Sequence, residues 1–203
     1  MAYFPAFLPL TNQKILVVGG GIVACRKVEK LLLFQPKMRI VTLEVHPELQ
    51  KLIEDNDIEM DLKSFEITDL QDQFMVIVAV DDLALQQEIF QIAQDRHLFC
   101  NCVDSADYCN FLFPALVVRG DLCVGVNTAG KAPAVSSLVR QTIETAIPEN
   151  VEEIVDSVQE FRMSLPRGKR TMERVMEYSK ELFTKSLNQS SSPVKDSGDA
   201  EDH

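Results

Sequence analysis

The residues most able to do chemistry in this sequence begin at Gly19-Gly20-Gly21-Ile22-Val23-Ala24, which fits G-x-G-x-x-A at Gly19, Gly21 and Ala24. In such a loop the first glycine permits a tight turn and the second lets backbone approach a pyrophosphate. The alanine allows close helix–strand packing, and the helix N-terminus offers free N–H groups and a positive dipole end. Glu44 follows Gly21 by 23 residues and closes a second strand. A carboxylate there can accept from a ribose hydroxyl and repel a 2′-phosphate, favouring NAD over NADP; the alternative is a solvent-facing charge. Asp81 and Asp82 end a further strand on the same carboxyl edge, with Asp82 placed to cap the next helix. Asp104 closes Asn101-Cys102-Val103-Asp104. A carboxylate there can face a nicotinamide, take the proton that leaves with a hydride, or orient a substrate; otherwise it is a loop or capping residue.

These positions need a scaffold that brings strand ends together. Lys14–Val18 (KILVV) is short and β-branched, as a buried parallel strand should be, and Ile22 to Leu33 carries apolar residues at helical spacing. Met38–Leu43, a weaker alternating Asp57–Phe65, Phe74–Val80 and Leu98–Val103 read as further strands, with a helix from Leu83 to Ala93. The alternation predicts an α/β fold with a Rossmann-like parallel sheet and right-handed crossovers over residues 1–110. Phe111–Val118 and Leu122–Val126 flank Arg119-Gly120-Asp121 and predict an antiparallel hairpin. A helix then opens near Pro133, and the hairpin and helix make a segment over residues 111–148. Asn150 with Glu153 reads as a cap opening a helical domain over residues 149–187. Residues 188–203 are polar, acidic and aperiodic, a composition that predicts a disordered tail.

The composition limits the functions open to the chain. It has 203 residues, 46% hydrophobic and 25% charged, with a net charge of −11. That charge argues against a general nucleic-acid or anionic-membrane binder. No apolar run is long enough for a membrane span, and the start lacks the basic region of a signal peptide. Five cysteines without a C-x-x-C pair predict reduced, buried thiols in a cytoplasmic protein, although Cys100 and Cys102 share one strand face. The histidines show no metal-ligand spacing, and no metal site is predicted.

Together the motifs resemble the precorrin-2 dehydrogenase family, which includes the dehydrogenase domain of siroheme synthase. The resemblance runs from Phe4 to about Leu187, through Phe4-Pro5-Ala6-Phe7, VVGGGIVACRK (Val17–Lys27), AVDD (Ala79–Asp82), CNCVD (Cys100–Asp104) and FLFPALVVRGDLCVGVNTAG (Phe111–Gly130). It implies NAD-dependent oxidation of precorrin-2 to sirohydrochlorin, with Fe²⁺ insertion as a possible second activity, in which case Fe²⁺ is a substrate. Asp104 would be the catalytic residue for both. Cofactor contacts would fall on Gly19, Gly21, Ile22, Val23, Leu43 and Glu44, and Asp81 joins them by its place on the same strand edge. The resemblance also implies a homodimer, with residues 111–148 as the dimerisation segment. The resemblance stops short of the methyltransferase domain of the fused enzyme, so methylation is not expected of these residues. Val80 stands where the family often has Thr, which removes one hydroxyl contact, and Thr128 keeps a hydroxyl in the Asn127–Gly130 stretch.

A tetrapyrrole with eight carboxylates on an acidic protein requires a local basic cluster. The candidates are Arg26, Lys27, Arg119, Lys131 and Arg140, with Lys131, Arg119 and Thr128 expected at the substrate. Two other readings stand beside a dehydrogenase–chelatase: a dehydrogenase without chelatase activity, and a non-catalytic NAD-responsive regulator on the same fold.

Overall fold

The computed structural model describes residues 3–166 and 168–190. The chain divides into two compact units: residues 3–113 with 127–132, and residues 114–126 with 133–190.

The first unit is a parallel sheet of β1 (Lys14–Val18), β2 (Lys37–Thr42), β3 (Glu59–Leu62), β4 (Met75–Val78) and β5 (Phe99–Cys102), in the order β3-β2-β1-β4-β5. Alternate residues of β1 face opposite layers. Ile15 and Val17 pack with Ile40 and Ile77 under α1 (Ile22–Leu32) and α2 (Pro47–Asp55). Leu16 and Val18 pack with Val76 and Val78 under α3 (Leu83–Asp95) and the 3-10 turn Ile67–Leu70. With both faces covered, strands buried along nearly their whole length are the stable solution, and β4 is buried at every residue. The order reverses between β1 and β4, which is where open α/β sheets hold ligands.

Several elements differ from expectation. The helix α2 falls where the sequence reading left a connection. His46 Nδ1 accepts from the Glu48 amide (3.3 Å), Pro47 opens the helix, and Leu49 and Ile53 face the core. The third strand keeps only Glu59–Leu62 of the predicted span, because Asp57 turns left-handed (φ 51°) before it and the strand lies at the sheet edge. The hairpin starts at Ala115 instead of Phe111, because Phe111 packs edge-on against Phe99 (5.9 Å between centroids) and beside Phe113 (5.3 Å).

In the second unit β6 (Ala115–Arg119) and β7 (Leu122–Val126) pair antiparallel, with Arg119 opposite Leu122 across a two-residue turn at Gly120 (φ 54°). The helix α4 (Pro133–Ala146) packs on the hairpin, and α5 (Val151–Ser164) packs on α6 (Lys169–Ser190). The Phe161 and Tyr178 rings meet at 4.5 Å. Asn150 precedes α5 as predicted, but its side chain does not cap the helix; its Oδ1 accepts the Ser186 hydroxyl of α6. The last helix runs through Ser190, past the expected start of the tail at residue 188. Residues 191–203 lie outside the described residues. Among the described residues no helix is long and apolar enough to cross a membrane.

Candidate active site

Sheet hydrogen bonding continues one step past the strands and aligns their carboxyl ends. Gly19 donates to Val41 O (2.9 Å), Ala79 to Val18 O (2.8 Å) and Val103 to Val78 O (2.9 Å). The glycine loop, Leu43–Glu44, Val80–Asp81 and Asp104 therefore leave one sheet edge in a row. Asp104 lies two strands from Gly19, about 10 Å across the sheet. Glu44 leaves the neighbouring strand on the opposite side.

The three glycines have different functions. Gly19 has φ 112°, and a Cβ there would overlap the Ala79 carbonyl. Gly20 is hemmed in by the end of β2: a Cβ would overlap the Glu44 carbonyl oxygen and stand 2.6 Å from Thr42 Oγ1. Thr42 holds that carbonyl with a 2.7 Å hydrogen bond, and the His46 amide donates to Gly20 O (2.8 Å). Gly21, the N-cap of α1, has nothing within 4 Å of a Cβ position. Two glycines thus fix the loop in the fold, and the third leaves open space at the start of α1. No side chain caps that helix and no acidic residue lies in its first turn, so the amides of Ile22 and Val23 remain available to an anion. A helix start of this kind can hold an anion such as a pyrophosphate. Leu43 and Glu44 are exposed at the adjacent strand end, as Asp81 is at its own, while Asp82 Oδ1 caps α3 through Ala84 N and Leu85 N (2.9 and 3.1 Å).

Asp104 is exposed and left-handed (φ 59°), in a turn closed by Ser105 N donating to Cys102 O (3.4 Å). Half-buried Lys27 lies 4.1 Å over the Phe113 ring. Burial pushes its ammonium below the usual lysine range and Lys30 adds to the push, while Cys109 and Asp104 work the other way. Lys27 and Asp104 therefore share one field, a pairing the sequence reading did not make. Thr128 and Lys131 occupy a sharp turn of the same unit. Thr128 Oγ1 accepts from Ala132 N (3.1 Å), Ala129 and Gly130 are left-handed, and Lys131 is exposed.

Other candidates have structural partners. Arg119 belongs to the second unit, where its guanidinium donates to the carbonyls of Ile147 (2.6 Å), Pro148 (2.9 Å) and Glu144 (3.1 Å), closing the end of α4. Arg140 pairs with Glu144. The cysteines are free thiols. Cys100 and Cys102 face each other at 3.9 Å, and this contact, together with burial, raises the Cys100 thiol and keeps it protonated. Among the described residues no cluster of His, Cys, Asp or Glu could hold a metal.

The sequence reading named Lys27 among the basic candidates and missed one residue of this edge. Gln86 is in phase with Ile89 and Ala93 on the buried face of α3. A glutamine at a core-facing helical position was the available signal.

Comparison with known proteins agrees with this architecture. The solved structure titled SirC, precorrin-2 dehydrogenase, has the same fold, with a TM-score of 0.70 and 23% identity over 92% of this chain and 98% of that one. The siroheme synthase of Mannheimia succiniciproducens is 33% identical over 90% of this chain and 38% of its own length. That of Zymomonas mobilis is 36% identical over 80% of this chain and 34% of its own. The chain thus spans little more than a third of the curated relatives it matches. The family model described as "Putative NAD(P)-binding" matches residues 6–115, the glycine loop, Glu44, Asp81 and Asp104 included, and the chain belongs to that nicotinamide-cofactor-binding family.

Proposed function

We propose that this chain oxidises precorrin-2 to sirohydrochlorin with NAD⁺. The observation that carries the proposal is the alignment of Asp104 on the same sheet edge as the open face of Gly21 and the free first turn of α1. Similarity to siroheme synthases along most of the chain supports it.

When bound, the nicotinamide supplies the hydride acceptor. The chain supplies position and a base. The amides of Ile22 and Val23 hold the pyrophosphate at Gly21, with Gly19 and Gly20 fixing the loop. Leu43 and Glu44 take the adenosine side. The Glu44 carboxylate accepts from the ribose hydroxyls and repels a 2′-phosphate, which supports NAD over NADP. Asp81 and Asp104 lie toward the reacting end. One hydride leaves the macrocycle with two electrons, one proton leaves with it, and the Asp104 carboxylate takes that proton. Exposed Asp104 also suits the accepting of pyrrole protons as Fe²⁺, a substrate, enters sirohydrochlorin. Lys27, Lys131 and Thr128 face the substrate's carboxylates, whereas Arg119 is occupied at the end of α4.

The active form is a homodimer joined through the second unit. Val135, Leu138 and Val139 line one exposed face of α4, with Leu138 63% exposed, and β7 is nowhere fully buried. Free thiols support a cytoplasmic setting.

The test is anaerobic turnover of fresh precorrin-2 with NAD⁺, followed by absorbance, for wild type and Asp104→Ala. Sirohydrochlorin formed by wild type alone supports the assignment. A second, protein-dependent change on adding Fe²⁺ establishes the chelatase, and its absence leaves a dehydrogenase alone. NAD⁺ binding without oxidation overturns the enzyme and leaves a regulator.

A further inference from the structure

The glutamine of α3 is an unexpected core residue. Gln86 is 3% exposed, and both ends of its amide are bonded. Nε2 donates to Val80 O (2.6 Å), and Oε1 accepts the Ser105 hydroxyl. A third tie runs from Cys102 Sγ to the Gln86 carbonyl (3.6 Å). Val80 directly precedes Asp81, and Ser105 directly follows Asp104. One buried side chain therefore braces the two strand-end loops that carry a cofactor contact and the proposed base.

The Asp104 turn needs such a brace. Its left-handed backbone costs about 1 kcal/mol or more for a residue other than glycine, and a long 3.4 Å hydrogen bond closes it. The Ser105 hydroxyl bond ties this turn to α3, which is anchored in the core by Ile89 and Ala93. An apolar side chain of similar shape would fill the same space but take away the donor to the Val80 carbonyl and the acceptor for the Ser105 hydroxyl, at a cost of about 1–3 kcal/mol. What the amide adds is direction: it sets where Ser105, and hence Asp104, stands relative to Val80–Asp81.

We propose that Gln86 is a positioning residue for Asp104, acting through the Ser105 hydroxyl. This rests on the dehydrogenase reading above. The brace holds the carboxylate at proton-transfer distance, and its Ser105 end stands two strands from the pyrophosphate site.

The test uses the full chain in the anaerobic precorrin-2 assay with four variants: Ser105→Ala, Ser105→Thr, Gln86→Met and Asp104→Ala. Ser105→Ala, which loses one orienting hydrogen bond, lowers kcat about tenfold with KM for NAD⁺ within about twofold of wild type, and Gln86→Met, which also releases Val80, lowers kcat at least as much. Ser105→Thr restores the hydroxyl at a backbone (φ −129°) that β-branched residues adopt, and keeps kcat within about twofold. Circular dichroism and thermal melting check each fold; should Gln86→Met unfold, half-buried Ser105 still decides. Wild-type kcat in Ser105→Ala overturns the proposal, as does a rise in KM in place of a fall in kcat. Failure of Ser105→Thr to rescue also overturns it, because packing rather than the hydroxyl would then matter. If wild type turns over and Asp104→Ala does not, a silent Ser105→Ala removes this inference alone; no turnover in wild type removes the dehydrogenase reading with it.

Discussion

Adjacent glycines in the same loop should respond to alanine in opposite ways. At Gly20 a new methyl meets the end of β2. Thr42 Oγ1 would be 2.6 Å away and Thr42 Cγ2 2.9 Å, so reaching ordinary contact of about 3.5 Å needs a shift of roughly 0.6–0.9 Å. The overlapping Glu44 carbonyl is backbone and cannot rotate aside. Relief requires moving the end of β2, which loosens the Thr42–Glu44 and His46–Gly20 hydrogen bonds at about 1 kcal/mol each, beside an overpacking cost of about 1–3 kcal/mol. Gly20→Ala should therefore lose about 3–5 kcal/mol, or roughly 6–20 °C in Tm. At Gly21 the methyl meets no protein atom, and φ −78° with ψ −178° is ordinary for alanine. Gly21→Ala should keep or slightly raise stability, by about 0.5 kcal/mol through the unfolded chain. Its methyl would instead stand where the pyrophosphate approaches, costing one or two charge-assisted hydrogen bonds of about 1.5–3 kcal/mol each and weakening NAD⁺ about 10- to 100-fold or more. Urea denaturation and calorimetric titration with NAD⁺ measure the two quantities separately. A folded Gly21→Ala protein that binds NAD⁺ as wild type does would refute the assignment of the open face, and an unweakened Gly20→Ala would refute the packing argument.

The ion-pair cluster on the β2–β3 side should set much of the acid sensitivity. Burial opposes ionisation of Asp69, but the Glu66 amide, Lys63 and Arg39 outweigh it and hold the carboxyl below the usual range. A lowered folded pKa gives stability that is present above the unfolded value of about 3.9 and is lost as pH falls through the folded one. Asp69→Asn should lose about 2 kcal/mol at pH 7 and show a shallower acid limb in urea melts; an unchanged limb would place the acid sensitivity elsewhere. Lys131→Ala should raise KM for precorrin-2 more than it lowers kcat, and an unchanged KM removes Lys131 from the substrate site. Leu138→Asp should keep a melting transition near wild type, since the residue is exposed. It should weaken self-association by two to four orders of magnitude, from about 1.5–3 kcal/mol lost on each side of a two-fold interface, as light scattering at graded concentrations would show.

The sequence revealed the elements whose burial is complete. The sheet strands β1 and β4 were legible because a strand covered on both faces must be a short apolar run, and the glycine loop because turn, approach and packing each demand a small residue at a fixed place. Edge strand β3 and helix α2 were less legible. The strand is half-buried, and the helix announces itself through His46-Pro47-Glu48 and the Leu49–Ile53 spacing, not through a long apolar stripe. Side-chain commitments were hardest to read. Nothing in the order of residues distinguishes an arginine bound for a substrate from Arg119, whose acceptors lie 25 to 29 positions later in the chain. Asn150 likewise has the right type and place for a cap and bonds Ser186 instead.

The distribution of charge along the sheet edge answers the objection that an acidic chain should not take a substrate carrying many carboxylates. At −11 the molecule as a whole repels such an anion, and screening limits that repulsion to roughly 8–10 Å at ordinary salt. Several acidic groups are already matched within the fold: Asp61 and Asp69 with Arg39, Asp69 and Glu66 also with Lys63, and Glu144 with Arg140. Lys27 faces the Phe113 ring, with burial lowering its affinity for a proton. An anionic substrate arriving beside that ammonium would stabilise its charge and raise its pKa again. If the proposed reading holds, local pairing and burial, more than net charge, decide where a polyanion would dock, at the edge that carries Asp104.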